Sequence, residues 1–222
     1  MLPQDKSVFV GHIRRLLAFH GGESSAFAAE AVRSTLALLL DSSYPKLVEF
    51  GLRPKAKLTK RTEIIAFASW LGGLEFLDCA FWLSSTYACL MPRPRRNRQA
   101  LFFTPPSLSS RLIRSLRQQR PRLSAARFVD PSCGGSAFLV PLAVEIAREL
   151  SFAGWSSGRI VTHVERHIAG FELDPVLCEL SRVFLNMALY DHVRQARRLL
   201  KPNIIQGNAL ASALPYAGSY DV

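Results

Sequence analysis

The sequence is poor in acidic residues, and this shortage bears on the partners that the protein can have. It has 17 Asp and Glu residues against 28 Lys and Arg residues, so that the formal net charge at pH 7 is +11. An excess of this size favours a polyanionic partner, because cations on the protein release the counterions bound to phosphates. Charge alone supports equally well a basic protein that has no role with nucleic acid.

Cysteine is also scarce. The four cysteines, Cys79, Cys89, Cys133 and Cys178, are widely scattered and form no Cys-x-x-Cys pair. This spacing argues against a disulfide framework and against a zinc site, so that no metal is expected, and it fits a reducing cytoplasm. The N-terminus shows no signal-peptide pattern, which also predicts a cytoplasmic location. Because 49% of the residues are hydrophobic, the chain can bury a substantial core.

The apolar stretch from Ile64 to Met91 is long enough to span a bilayer, but its centre argues against this. Glu75 and Asp78 lie near its middle, and each would cost about 2.5–3.5 kcal/mol at the centre of a membrane. The pair Gly72-Gly73 also interrupts the stretch. We therefore expect a buried pair of helices here and no membrane partner.

Residues 1–98 show the apolar spacing of helices and nothing that resembles a catalytic motif. A first helix is expected to stop at Gly21-Gly22, and a second runs from Phe27 to Leu40. A basic connection follows from Pro54 to Arg61. The run from Met91 to Arg98 combines prolines with arginines, which predicts a linker or exposed loop and a solvated charge run rather than a phosphate-binding segment. We expect a helical N-terminal domain over residues 1–98.

From Leu101 onward, strands and helices alternate, and we expect a second domain over residues 99–222. The predicted strands are Ala126–Val129, Ile168–Leu173 and Asn203–Gln206, and residues from Ala217 to Val222 open a fourth. The predicted helices include one whose apolar face is formed by Leu108, Leu112 and Leu116. Strand–helix repetition implies a parallel sheet covered by helices. The predicted fold class is therefore α/β with a helical N-terminal extension.

The most informative segment runs from Phe128 to Val140 and has the form of a strand, an acidic tight loop and a helix. Asp130 ends the strand, and Gly134 and Gly135 then allow bare backbone to approach a ligand at the helix N-terminus. A carboxylate at the carboxyl end of such a strand can accept a hydrogen bond from a cofactor ammonium group. Helix capping would account for Asp130 alone, but capping does not require two consecutive glycines.

The ends of the other two strands also carry polar residues. Glu172 ends the second strand, where one carboxylate can accept hydrogen bonds from both hydroxyls of a ribose. Asp174 better fits a solvated acid that opens the next helix. Gly207-Asn208 follows the third strand and on its own is merely a turn signal.

Together these motifs resemble the cofactor loops of the S-adenosylmethionine-dependent DNA adenine-N6 methyltransferases. The segment from Asp130 to Ser136 is similar to the family's Asp-Pro-x-Cys-Gly-x-Gly, although Gly135-Ser136 stands where the family usually has Ser-Gly or Thr-Gly. Gly170–Pro175 matches Gly-x-Glu-x-Asp-Pro. The segment Phe102–Pro106 resembles an aromatic-x-Thr-Pro segment of the type I and large type II enzymes, which protein-glutamine and RNA methyltransferases generally lack.

The resemblance implies an incomplete Rossmann-like class I methyltransferase sheet and S-adenosylmethionine as the cofactor. By this resemblance, Glu172 would hold the ribose and Leu173 would pack against the adenine. Asn208 would replace the family's Asp at the adenine amino group, which would weaken cofactor binding. The aromatic-x-Thr-Pro segment would touch the methionine end. The implied cofactor-binding residues are Phe103, Thr104, Pro105, Asp130, Pro131, Cys133, Gly134, Gly135, Glu172, Leu173, Asn208 and Ala209.

The resemblance places no catalytic residue in this chain. The family's Asn-Pro-Pro-Tyr motif follows a strand that begins Tyr-Asp-Val-Val, and this sequence ends at Tyr220-Asp-Val222. That motif supplies the acceptor for the amino group of a flipped adenine. We therefore expect the N-terminal portion of such an enzyme, unable to transfer a methyl group alone. Because the family's fourth strand lies against the first, Ala126–Val129 would be left at an unfinished sheet edge.

In the complete enzyme, the amino nitrogen of the flipped adenine would attack the sulfonium methyl group directly. The expected partners are double-stranded DNA and a separate chain that completes the fold or a specificity subunit of a restriction-modification system. Two alternatives stay open: a protein-glutamine or RNA methyltransferase, and an inactive fragment that only binds cofactor or DNA.

Overall fold

The structure is a computed structural model that describes residues 3–120, 122–212 and 218–222. The chain divides into two compact units, Met1–Pro106 and Ser107–Val222. The predicted domain boundary at residue 98 lies a few residues before this division. Helices predominate and accompany a small parallel sheet. Within the described ranges, every helix is too short or too polar to cross a membrane.

The first unit is helical in its described residues. Its elements are α1 (Pro3–His20), α2 (Ser25–Ser43), α3 (Pro45–Glu49), α4 (Thr62–Gly72), α5 (Phe76–Leu90) and α6 (Arg93–Arg98). The Ser24 hydroxyl begins α2 by accepting a hydrogen bond from the Phe27 N–H at 3.3 Å. Helix α2 then packs against α4 and α5 and buries Leu36 and Leu40 completely. The core of this unit therefore surrounds α2.

An aromatic cluster joins α1 to α4 and α5. The Phe9 and Trp82 rings lie 4.4 Å apart between centroids, and the His12 ring stacks on Trp70 at 5.4 Å. Burial, and then the charge of Arg15, lower the pKa of His12, so that its ring is neutral at pH 7. The cluster is thus an apolar contact in which a histidine serves as an aromatic ring.

Two sequence-based expectations for this unit have different outcomes. The buried helical pair predicted from Ile64 onward is confirmed, with α4 ending at Gly72 and α5 beginning at Phe76. The linker or loop predicted from Met91 to Arg98 is wrong, because Arg93–Arg98 is helical. Prolines in the first turn of a helix sacrifice no internal hydrogen bond, and arginine is a good helix former. The arginines nevertheless remain largely exposed.

The second unit alternates strands and helices along the chain. Its elements are α7 (Pro106–Gln119), a 3-10 turn (Leu123–Ala125), β1 (Phe128–Asp130), α8 (Leu139–Phe152), α9 (Ser157–His167), β2 (Ile168–Glu172), α10 (Pro175–Ala188), α11 (Tyr190–Ala196), β3 (Asn203–Gln206) and α12 (Ala209–Ser212). The sheet has the order β1-β2-β3, and both pairings are parallel. Helix α8 packs against β2 and α10, and α10 packs against β3.

The predicted strands occur near their expected positions. The third, Asn203–Gln206, is confirmed at both ends, and the second ends one residue earlier than predicted, at Glu172. The first begins later, at Phe128, because Leu123–Ala125 forms a 3-10 turn and Ala126 ends it.

The predicted apolar face of α7 is wrong. Leu108 and Leu112 are each 53% exposed, whereas Ser109 and Ile113 are buried. Both pairs have the i, i+4 spacing of a helix face, so the spacing does not show which pair turns inward. An ion pair of 2.7 Å between Arg117 and Glu145 joins α7 to α8.

The predicted fourth strand begins at Ala217, which lies outside the described residues. In the described part, residues 218–222 are assigned no strand, yet their end lies along β1. The N–H of Val129 donates to the Val222 carbonyl at 2.9 Å, and the N–H of Val222 donates to the Arg127 carbonyl at 3.3 Å. This is the pattern of a parallel pair centred on Phe128. The edge of β1 that was expected to be unfinished is therefore paired at one residue.

A close approach at Gly170 sets the distance between β2 and the loop that precedes α8. A Cβ atom at this position would lie 2.8 Å from both Cys133 Sγ and Leu139 Cδ1. We expect Gly170→Ala to lower the free energy of unfolding by about 1–3 kcal/mol, because the loop and α8 would have to move away from the strand. Urea denaturation followed by circular dichroism measures this change.

Gly158→Ala is the matched control. Gly158 is in α9, and apart from its chain neighbours and the backbone of that helix, no atom of the described residues lies within 4 Å of a Cβ built on it. Alanine favours a helix over glycine by up to about 1 kcal/mol, so this variant should be as stable as the original or more so. Equal urea midpoints for both variants would show that β2 and the loop are not in close contact.

Candidate functional site

Parallel pairing brings the carboxyl ends of the three strands to one edge of the sheet. Asp130, the last residue of β1, pairs with Gly170, and Glu172, the last residue of β2, pairs with Gln206. Asn208 follows β3 by two residues. Ligands of open α/β sheets bind at this edge. The strand-end residues that the sequence singles out therefore lie on the same side of the molecule.

The loop between β1 and α8 is fastened to the end of β2. The N–H of Cys133 donates to the Phe171 carbonyl at 2.9 Å, and the N–H of Gly134 donates to Glu172 Oε2 at 2.9 Å. The Ser181 hydroxyl of α10 donates to the Gly134 carbonyl at 2.6 Å. Gly134 has φ +50°, a conformation that glycine adopts without strain. The backbone of this loop is thus fixed by its neighbours.

Asp130 has one oxygen that the chain leaves unsatisfied. Its Oδ1 accepts a hydrogen bond from the Ser132 N–H at 3.0 Å. Its Oδ2 is buried and has no hydrogen-bond partner among the described residues. Burial raises the pKa of Asp130, and the hydrogen bond from Ser132 partly opposes this rise. Because an unsatisfied buried acceptor is costly, this oxygen is a strong candidate to accept a bond from a ligand.

Glu172 is half-buried and holds two backbone segments together. Besides the Gly134 N–H, its carboxylate accepts the N–H of Asp174 at 2.8 Å. Burial raises the pKa of Glu172, whereas hydrogen bonds from backbone N–H groups lower it. A carboxylate has about four lone-pair sites, so the backbone hydrogen bonds from Asp174, Leu173 and Gly134 leave capacity for a ligand hydroxyl.

Asp174 opens α10, as the sequence indicates, but it is not solvated. Its side chain is the N-cap and accepts hydrogen bonds from the N–H groups of Val176 at 2.8 Å and Leu177 at 3.3 Å. The residue is only 2% exposed. A buried cap leaves Glu172 as the more accessible acid at the end of β2.

Two residues beside the strand ends are exposed. Leu173 is 62% exposed, and Asn208 is exposed as well. Asn208 Oδ1 accepts a hydrogen bond from the Leu210 N–H at 3.0 Å, which caps α12, and Ala209 is the first residue of that helix. Leu173 offers an apolar surface to a ligand, while the Asn208 oxygen already serves the chain.

Cys133 is a buried residue of this loop, and its thiol is unreactive. It is buried, and its Sγ lies 4.0 Å from the Ser181 hydroxyl. Burial, followed by the charges of Asp130 and Glu172, raises the pKa of this thiol well above its usual range. A protonated thiol is a poor nucleophile, so Cys133 packs the loop against β2 rather than taking part in chemistry.

The remaining predicted residues lie in different surroundings. Pro131 is exposed at the start of the loop, and Gly135 is buried within it. Phe103, Thr104 and Pro105 form a half-buried, irregular segment before α7, in the first unit. Their proposed contact with the cofactor stays a prediction. In the described chain, no group of His, Cys, Asp or Glu has the arrangement of a metal site.

Ser136 and Ser181 are important residues that sequence reasoning did not identify as part of the site. Ser136 has φ +60°, and its buried hydroxyl finds no partner among the described residues. Its signal in the sequence is the order Gly135-Ser136, which puts a side chain where the resembling family has glycine. The signal for Ser181 is a polar residue within the apolar face of α10, where it is fully buried.

Comparison of this chain with protein-family models, with curated proteins and with solved structures found no match. The interpretation of the site therefore depends on its own geometry and on the motifs that compose it.

Replacing Ser136 by glycine tests the strain in the loop. A non-glycine residue in the left-handed region costs about 1–2 kcal/mol, and glycine loses about 0.5–1 kcal/mol more on folding through its greater freedom in the unfolded chain. Removal of a buried hydroxyl without a partner among the described residues should increase the stability further. We expect Ser136→Gly to raise the free energy of unfolding by about 1 kcal/mol, as measured by urea denaturation.

Ser132→Gly is the control in the same loop, because Ser132 is exposed and is not among the residues with positive φ. This change should lower the stability slightly. A loss of stability in Ser136→Gly that equals the loss in Ser132→Gly would show that Ser136 is not strained.

Proposed function

We propose that the second unit binds S-adenosylmethionine and is the cofactor-binding part of a DNA adenine-N6 methyltransferase. The observation that carries this proposal is the buried, unsatisfied Oδ2 of Asp130 beside a glycine loop that Glu172 holds in place. An acceptor for an ammonium group and an acceptor for hydroxyl groups lie at adjacent strand ends. A nucleoside that carries an amino acid presents both an ammonium group and ribose hydroxyl groups, which can donate to these two acceptors.

Each residue has a role that follows from its position. Asp130 Oδ2 would accept from the ammonium group, the free lone pairs of Glu172 from the ribose hydroxyls, and Leu173 would pack against the adenine. Asn208 would accept from the adenine amino group with the lone pair that the Leu210 N–H leaves free. When bound, S-adenosylmethionine supplies an electrophilic methyl group. The residues of this chain bind and orient it, and none matches the motif that receives the target adenine.

The order of the sheet also supports the proposal. Val222 pairs with β1 on the side away from β2, which gives the spatial order Val222, β1, β2, β3. A class I methyltransferase sheet has its fourth strand against the first. The proposed fold of the second unit is therefore a Rossmann-like class I sheet that contains the described strands.

The net charge of +11 favours double-stranded DNA as the substrate, since phosphates attract a protein with this excess. A chain that completes the fold, or a specificity subunit, is the further partner that we propose. A cytoplasmic location is part of the same proposal.

A second candidate has its own supporting observation. Both Glu172 oxygens and Asn208 Oδ1 accept hydrogen bonds from the chain itself. In an inactive chain that only binds DNA, these side chains would serve only to hold loops. Measured affinity for S-adenosylmethionine separates the two candidates.

Glu172→Ala tests the assignment of the end of β2. We expect the free energy of binding of S-adenosylmethionine to weaken by about 1.5–3 kcal/mol, which is the range for hydrogen bonds to a charged group. Isothermal titration calorimetry of the full chain gives this value. Because Glu172 also holds Gly134, a melting curve of the variant must show that it remains folded at the temperature of the titration.

Asp191→Asn is the matched control for the loss of one carboxylate charge. Asp191 is on α11, is exposed and pairs only at the surface with Arg194 at 3.3 Å. Its substitution should leave the affinity unchanged. If folded Glu172→Ala bound the cofactor as tightly as the original chain, the role of Glu172 would have to be abandoned.

Asn208→Asp tests the residue that follows β3. Aspartate is as good an N-cap as asparagine, so α12 should persist, and a carboxylate makes a stronger bond to an amino group. We expect the affinity for S-adenosylmethionine to increase or to stay level in the same titration. A loss of tenfold or more would show that Asn208 does not face the adenine.

A further inference from the structure

The first unit carries a cluster of exposed cations between α3 and α4, which we call the basic segment (residues 53–61). Its five basic residues are all exposed, and the sequence has no acidic residue between Glu49 and Glu63. Within the described ranges, none of the five forms an ion pair with an acidic side chain. They are Arg53, Lys55, Lys57, Lys60 and Arg61. Their charge is thus not neutralised by acidic side chains of the described residues, and the Arg61 guanidinium lies over the Phe19 ring, 5.7 Å from its centroid.

The first three cations alternate with half-buried residues. Arg53, Lys55 and Lys57 are exposed, whereas the residues between and after them, Pro54, Ala56 and Leu58, are half-buried. An alternation of this kind is typical of an extended chain, in which alternate side chains are about 6.6 Å apart. One strand of DNA carries a phosphate for every 3.4 Å of helix axis, so each cation can meet a separate phosphate.

Backbone N–H groups of the basic segment donate hydrogen bonds to side chains of α2, and the basic side chains of the segment stay exposed. The N–H of Lys57 donates to Glu30 Oε1, and the N–H of Leu58 donates to the Ser34 hydroxyl at 3.0 Å. The same hydroxyl donates to Glu30 Oε1 at 2.8 Å. A surface whose backbone is already ordered loses less conformational entropy when it binds.

We propose that the basic segment is a surface of the first unit that binds the phosphate backbone of DNA. This inference rests on the proposed function for the choice of DNA as the polyanion, and it adds the surface that holds it. A regular row of cations fits phosphates at fixed intervals. The same cations would also be attracted to an anionic membrane, but Ala56 and Leu58 are half-buried, so the basic segment presents little apolar surface that could enter a bilayer.

The test measures binding of the full chain to a labelled DNA duplex by fluorescence anisotropy over a series of salt concentrations. The triple variant Arg53→Gln, Lys55→Gln, Lys57→Gln should bind at least tenfold more weakly at 0.1 M salt. The slope of log K against log salt should fall in magnitude by about 2–3, because each lost phosphate contact removes about 0.9.

The matched control is the triple variant Lys6→Gln, Arg14→Gln, Arg15→Gln, which removes the same charge from exposed positions of α1. It should weaken binding less than threefold. Equal losses in the two triple variants would overturn the proposal, since only net charge would then matter. Preferential binding to phosphatidylserine vesicles through the basic segment would overturn it as well.

Calorimetry with S-adenosylmethionine separates this proposal from the proposed function. The triple variant of the basic segment should bind the cofactor as the original chain does. A chain that binds DNA through the basic segment but does not bind S-adenosylmethionine would support this surface and refute the proposed function. Cofactor binding together with DNA binding that ignores the basic segment would overturn the surface alone.

Discussion

The close contact between the β1–α8 loop and the end of β2 is the constraint on which the second unit depends. It requires glycine at position 170, because a side chain there would collide with Cys133 and Leu139. The contact allows the Cys133 and Gly134 N–H groups to reach β2, which satisfies loop backbone in a crowded place. It also brings Asp130 and Glu172 near the Cys133 thiol. Burial is the main cause of the raised pKa of this thiol, and the two carboxylates raise it further.

Much of the fold follows from apolar spacing, and the errors have physical causes. The strand Asn203–Gln206 and the break between α4 and α5 are visible in the sequence, because a short apolar run and a glycine pair are strong signals. Helix α9 was not predicted. Its buried residues Ile160, Val161 and Val164 are β-branched, a residue type that favours strands. The helix is stabilised instead by its packing against α8 and α11.

The location of the candidate site can be predicted from the sequence more fully than its bonding. Acidic residues at the ends of consecutive parallel strands must meet at one sheet edge, so the sequence predicts that Asp130 and Glu172 lie close together. That Glu172 holds the Gly134 N–H depends on a contact between residues distant in sequence, and no local pattern records it. The left-handed conformation of Ser136 is not visible in the sequence either, since serine itself favours no such backbone.

The pairing of Val222 with β1 has a consequence for the order in which the second unit folds. Residues 127 and 221 are separated by 94 positions, whereas β1 meets β2, and β2 meets β3, across less than half that separation. Each doubling of a closed loop costs only about 0.6 kcal/mol, but contacts of long range also form slowly. The β2–β3 pair has the shortest loop and is the natural nucleus, and the outer edge of β1 is the last part of the sheet to be paired.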